Sequence, residues 1–280
     1  MLVKKTIDFI LFGSLFIASC AVGLCIETNL LLHLPLNAYS FYGFVFGATL
    51  VQYNLHYLVK VKGGERSLRM AWSVNNRPVL IALTAIGMIL IIISFFSFHL
   101  HHLIFLVMLG VISFLYSFPF LPFSQKKRIK DYGLMKITTL ALLWTLVTVW
   151  FPVDQMHFNT GSFLLIFVRR FIFMFILCLL FDIRDTEIDR IENIRTLPVM
   201  LGIRKTYLLC YILLLVFVAF TVLQFFKFPE TTPLLVMLFS AMATFFTIRY
   251  TRNNNSDYVH LAVVDGMMLL QSLLVIITSI

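Results

Sequence analysis

The chain has 280 residues, 60% of them hydrophobic and 12% charged, with a mean hydropathy of +0.95. A water-soluble domain needs far more charge to cover its surface, so this composition excludes one and makes a lipid bilayer the expected solvent. The net charge of +9 carries no nucleic-acid reading, because the basic residues lie in short breaks between apolar runs.

Without water to satisfy backbone amides, a spanning chain is helical or a closed barrel, and runs of about 20 apolar residues lacking two-residue alternation select helices. Such runs fall at 7–26, 39–59, 79–98, 103–120, 134–151, 162–181, 206–226, 232–248 and 261–280. They predict an all-α, polytopic membrane bundle of nine transmembrane helices. The breaks are too short to hold a soluble domain, so residues 1–280 are expected to form a single domain.

The first run follows Lys4 and Lys5 and has the outline of a signal peptide, with Ile17-Ala18-Ser19-Cys20 resembling a lipoprotein processing site. Asp8 interrupts its start and the apolar stretch continues past Cys20 to Ile26, which favours a retained span. Cys20, Cys25, Cys178 and Cys210 lack metal-ligand spacing and are expected to pack as small hydrophobes. The second run carries Asn54 and His56 near its end and leads into Lys60, Lys62, Glu65, Arg66 and Arg69. His99, His101 and His102 look like metal ligands, but in a short interfacial turn the plain expectation is solvation. The fourth run ends in Tyr116-Ser117-Phe118-Pro119, followed by Lys126, Lys127, Arg128 and Lys130. Arg169 and Arg170 lie about 10 Å into the sixth run, where structural contacts with a neighbouring helix are the favoured reading and a place in the substrate pocket the other. Asp265, inside the ninth run, must face the bundle or a cavity.

Nineteen Lys and Arg residues fall at the N-terminus or in even-numbered breaks, and Lys227 alone in an odd one. This asymmetry places the N-terminus and the even breaks in the cytoplasm, against anionic headgroups, and the C-terminus on the outer side.

Five of the thirteen acidic residues lie within Asp182-Ile183-Arg184-Asp185-Thr186-Glu187-Ile188-Asp189-Arg190-Ile191-Glu192. If the sixth helix continues through this segment, Asp182, Asp185 and Asp189 lie within about 60° around its axis. Three like charges so close repel unless a cation sits among them. Magnesium is the natural candidate, a hard ion that commonly bridges carboxylates to a substrate phosphate. The bland alternative is a solvated interfacial helix with ion pairs to Arg184 and Arg190.

The same residues, followed by Arg195-Thr196-Leu197-Pro198-Val199-Met200-Leu201-Gly202, resemble the second signature of the UbiA prenyltransferase superfamily. The resemblance implies nine membrane helices and transfer of a prenyl chain from a prenyl diphosphate to a hydrophobic acceptor, with Mg2+ held between two aspartate-rich loops. It gives Asp182, Asp185 and Asp189 the metal, makes Asp185 and Asp189 catalytic, and puts Arg195 near the diphosphate. Tyr116, Lys126 and Lys130 are similar to the family's tyrosine-serine segment and basic loop, and Asn54 to the asparagine that opens its first signature. The two aspartates that follow that asparagine in the family are missing from residues 51–66. Either a basic residue such as Lys60, Lys62, Arg66 or Arg69 supplies the lost positive charge, or Glu65 substitutes as a ligand, or the protein is a catalytically degenerate member that binds a polyprenyl or other anionic lipid. A transporter with an acidic gate calls for internal repeats and more mid-membrane polar residues than this chain has.

Overall fold

The computed structural model describes residues 2–59, 67–98, 100–117, 133–153 and 158–279, and these are helical throughout apart from short connections, with no strand. Helices α1 (Leu2–Phe12) and α2 (Leu15–Leu31) form one bent unit, followed by α3 (Tyr39–Val59), α4 (Leu68–Asn75), α5 (Arg77–Phe95) and α6 (Leu100–Ser117). Then come α7 (Gly133–Thr145), a π turn (Leu146–Trp150), α8 (Phe151–Val153), α9 (Thr160–Arg184), α10 (Thr186–Ile191) and α11 (Leu197–Leu201). The chain closes with α12 (Ile203–Lys227), α13 (Thr231–Thr251), a second π turn (Val259–Val264) and α14 (Gly266–Ser279). Over its described residues, each apolar run of the sequence falls on one of these helices or broken helices.

Among the described residues six helical segments are long and apolar enough to cross a membrane, or seven if the bent α1–α2 pair is one span, against the nine expected. The difference lies in two helices. Helix α3 has the length but carries Gln52, Asn54 and His56 in its last turns, which lowers its apolarity, and the apolar part of α6 is the shorter His102–Ser113.

Helix α9 is the hub: 72% of its apolar window is buried, against 22–39% for the other single-helix spans, and it packs on both α7 and α12. Around it α3 lies along α5, α2 along α14, and α12, α13 and α14 in succession. The α3–α5 crossing is made by glycine, since a Cβ on Gly87 would stand 2.8 Å from Val51 Cγ2 and 2.9 Å from the Gly47 carbonyl. Gly87→Val is therefore expected to cost about 1–3 kcal/mol through overpacking, read as a fall in thermal midpoint in detergent. An unchanged midpoint would mean that the two helices separate freely.

Two breaks follow from single residues. Pro152 has no N–H for the carbonyl of Thr148, four residues earlier, and the chain widens into the π turn over Leu146–Trp150. The freed Thr148 carbonyl accepts a hydrogen bond from Thr28 Oγ1 at 2.6 Å, and the Val147 carbonyl one from Cys25 Sγ at 3.5 Å. Between α1 and α2 the axis turns by 57° at Ser14, whose φ of 68° lies in the left-handed region.

The deep arginines cross-link the bundle. Arg170 Nη2 pairs with Glu27 at 2.8 Å, Gln271 Nε2 donates to the same carboxylate at 3.1 Å, and Arg170 Nη1 reaches Thr148 Oγ1 at 3.2 Å. This joins α9, α2, α14 and the π turn. Arg169 Nη1 donates to Gln224 Oε1 of α12 at 2.7 Å. Both arginines thus make the contacts with neighbouring helices favoured from the sequence. The four cysteines are buried and free, as small packing residues should be. The His102 ring packs against Phe98 and Phe151, and His99 lies outside the described residues.

Candidate functional site

The aspartates do not fall on one uninterrupted helical face. Helix α9 ends at Arg184, Asp185 occupies the break, and α10 restarts at Thr186, whose Oγ1 turns back to the Asp182 and Ile183 carbonyls at 3.1 and 2.8 Å. Asp182 and Asp189 still converge, on Lys136 in the second turn of α7. Its Nζ lies 2.9 Å from Asp182 Oδ1 and 3.2 Å from Asp189 Oδ2. Asp185 is turned to another cation: Arg184 holds it with Nε at 2.8 Å and Nη2 at 3.2 Å, and reaches Asp257 of the α13–α14 connection at 3.5 Å.

Local packing sets this arrangement. A Cβ on Gly133, at the start of α7, would run into the backbone of Arg195 and Thr196. Only glycine admits the segment that follows the aspartates so close to α7, and the approach brings Lys136, one turn on, within reach of both carboxylates. Asn193 adopts φ 56°, and Ile194 N–H caps α10 by donating to the Asp189 carbonyl at 2.8 Å. The signature over residues 195–202 is in this sense a buttress for the lysine.

Two carboxylates against one lysine leave a negative charge in a nearly dry place: Asp182 and Asp189 are each 4% exposed. Burial raises the Asp189 pKa above the ordinary carboxylate range, opposed by the neighbouring Lys136 ammonium. Asp182 Oδ2 is buried without a hydrogen-bond partner. An acceptor oxygen left open beside a net negative charge fits a hard cation that is completed by phosphate oxygens and water. Among the described residues no group of three or more acidic, His or Cys side chains is placed to hold a metal ion, so Asp182, Asp185 and Asp189 do not assemble the three-carboxylate set expected from the sequence, Asp185 being held by Arg184.

Among the described residues, neither Asn54 nor Arg195 bonds to this aspartate–lysine mouth. Asn54 is fully buried and its amide is engaged within the fold: Nδ2 donates to the Gly13 carbonyl at 3.2 Å and Oδ1 accepts from Ser14 Oγ at 2.7 Å. Arg195 is exposed, next to the buried Thr196. Tyr116 is carried at the C-terminal end of α6. Lys126 and Lys130 lie outside the described residues, as do Lys60, Lys62, Glu65 and Arg66. Asp265 is 6% exposed and follows the second π turn, with Arg69 and Arg184 as the charges that face it.

At this end sequence reading missed Lys136 and left Arg69 as one of four candidates. Lys136 was counted only among the loop cations, although a lysine three residues inside an apolar helix already demands a buried acid. Arg69, one of four basic residues weighed near Asn54, is the one the fold buries, at 4% exposed, with Nη2 donating to Ser14 Oγ at 2.7 Å.

Comparison with known proteins bears on the fold and the family. Sequence comparison with curated proteins finds no match. Among solved structures, a UbiA homolog from Archaeoglobus fulgidus bound to GPP and Mg2+ matches with a TM-score of 0.65 at 11% identity, over 96% of this chain and 98% of that one. The same homolog bound to DMAPP and Mg2+ matches with a TM-score of 0.63. A structure of digeranylgeranylglyceryl phosphate synthase matches with 0.60 at 15% identity, over 99% of this chain and 98% of that one. At these identities the likeness establishes a shared helical fold. The model of the UbiA prenyltransferase family matches residues 71–269, most of the chain and the whole of the aspartate–lysine mouth, and the chain belongs to that family.

Proposed function

We propose that the protein is an intramembrane prenyltransferase that takes a prenyl diphosphate at the mouth formed by Asp182, Asp189 and Lys136 and passes its chain to a lipophilic acceptor. The carrying observation is the pair of buried carboxylates that share one lysine and keep one oxygen open. Prenyl diphosphates bound to fold relatives support the donor class.

In this reading Asp182 and Asp189 hold Mg2+, which when bound supplies positive charge to the departing diphosphate. Lys136, relieved of part of its carboxylate contact, turns an ammonium proton toward a diphosphate oxygen. Arg195, Tyr116, Lys126 and Lys130 are proposed as further diphosphate contacts. Asp185, held by Arg184 in the structure, would be the third carboxylate available to the ion and a catalytic residue, and Asn54 acts through Ser14. The allylic carbon–oxygen bond breaks with its electron pair leaving on the diphosphate, the acceptor attacks the carbocation, and the proton it releases ends in solvent. The mouth and the basic loops lie on the cytoplasmic side and the C-terminus on the outer side. A second reading, a family member that binds a polyprenyl or other anionic lipid without turnover, is favoured by the end of α3, where Leu55 to Val59 include no carboxylate.

The test is release of pyrophosphate by purified protein from dimethylallyl, geranyl, farnesyl and geranylgeranyl diphosphates in the presence of lipophilic acceptors. Magnesium-dependent release with a prenylated product is expected. Binding of the diphosphates without release would select the second reading.

A further inference from the structure

Beside α3 stands a buried cation that makes no ion pair among the described residues. Arg69, on α4, carries its guanidinium 4.2 Å over the Tyr57 ring and tethered to Ser14 Oγ. Its Nε is buried without a hydrogen-bond partner, and among the described residues no carboxylate lies within ion-pairing distance of its side chain. A guanidinium held in a dry interior without a paired anion is costly, and placement of this kind marks a site for an anionic ligand.

Arg69 is tied to the helix that carries Lys136: its guanidinium lies over Tyr57 of α3, and one turn earlier on the same helix Tyr53 Oη accepts a hydrogen bond from Trp144 Nε1 of α7 at 3.3 Å. Asp265 compensates Arg69 at a distance and leaves Nε without a partner. The local architecture is spent on aiming this side chain: Ser14 adopts its left-handed φ at the α1–α2 bend, donates to Asn54 and accepts from Arg69. Asp257 Oδ2 accepts the Arg69 backbone N–H at 3.1 Å and fixes the start of α4. Asn54 is thus a positioning residue for the guanidinium.

We infer that Arg69 is a fixed anchor for the donor's diphosphate, occupying with its guanidinium the side of the mouth where α3 offers no carboxylates for a metal, so that the diphosphate binds with a single divalent ion. The inference rests on the prenyl-diphosphate reading above. A planar guanidinium suits two phosphate oxygens at once, and unlike a metal ion it needs no carboxylate ligands.

The experiment counts manganese ions by electron paramagnetic resonance in the complex of the full chain with geranylgeranyl thiolodiphosphate, a non-reactive donor analogue. One Mn2+ per bound analogue is expected for the wild type. Arg69→Ala should weaken analogue binding by about 10- to 100-fold, the range for a lost charge-assisted hydrogen bond, and Arg69→Lys should retain more of the affinity. Two Mn2+ per analogue in the wild type, or undiminished affinity in a folded Arg69→Ala protein, would overturn the inference while leaving the donor reading intact. No analogue binding by the wild type would remove both. If Arg69→Ala does not fold, the wild-type ion count and Arg69→Lys decide.

Discussion

Asp189→Asn is expected to lower prenyl transfer by about a hundred- to a thousandfold, the scale for losing one preorganised electrostatic contact to a developing charge, while leaving the fold in place. The amide matches the carboxylate in size, and Lys136 keeps Asp182 at 2.9 Å as a partner, so no charge is stranded in the interior. The loss falls on the net negative charge that draws a divalent ion to the mouth. Asp182→Asn should behave alike. Asp185→Asn is expected to act more weakly, because its carboxylate is committed to Arg184. Steady-state pyrophosphate release, read beside thermal unfolding in the same detergent, checks all three. A collapse of stability in Asp189→Asn matching its loss of activity would mean that the carboxylates serve packing alone.

The second large effect is on stability. Arg170→Met should cost about 3–5 kcal/mol, the usual result of stripping one partner from a buried ion pair. Glu27 is fully buried, and without Arg170 it keeps, among the described residues, the Gln271 amide as its one side-chain donor. The double variant Glu27→Gln with Arg170→Met removes both charges and should recover most of the loss. Because Arg170 lies twelve residues, or about 18 Å of helical rise, before Asp182, diphosphate affinity is expected to stay within a few-fold of wild type in the double variant. Thermal unfolding and analogue binding, measured on the same preparations, test the two halves of this expectation. A single variant as stable as wild type would mean that water reaches Glu27.

What the sequence made legible depended on which residues carry a one-dimensional signal. Apolar runs mark helices directly, since lipid requires each spanning segment to satisfy its own backbone, and the all-helical family fold was readable from them. Asp182 and Asp189 were readable as a pair because their spacing keeps them together across the α9–α10 break. Asp185 was placed with them on the assumption of an unbroken helix, and one turn residue sufficed to swing it to Arg184. Lys136 and Arg69 were hidden for a different reason: each meets its partners through tertiary contacts, Lys136 by way of Gly133 and the Arg195 backbone, Arg69 by way of Ser14. The polar end of α3 also shows why nine apolar runs do not translate into nine helices that each qualify as spans. Of its polar residues, Asn54 is buried and bonds the α1–α2 bend through Ser14 and the Gly13 carbonyl.

The central claim is that the Asp182–Lys136–Asp189 cluster is the diphosphate site. Its most direct test is equilibrium binding of radiolabelled geranylgeranyl thiolodiphosphate to the wild type and to the Asp182→Asn, Asp189→Asn double variant, with and without magnesium. The account predicts magnesium-dependent binding in the wild type and its loss in the double variant. Equal binding by both proteins, in the presence of the ion, would contradict it.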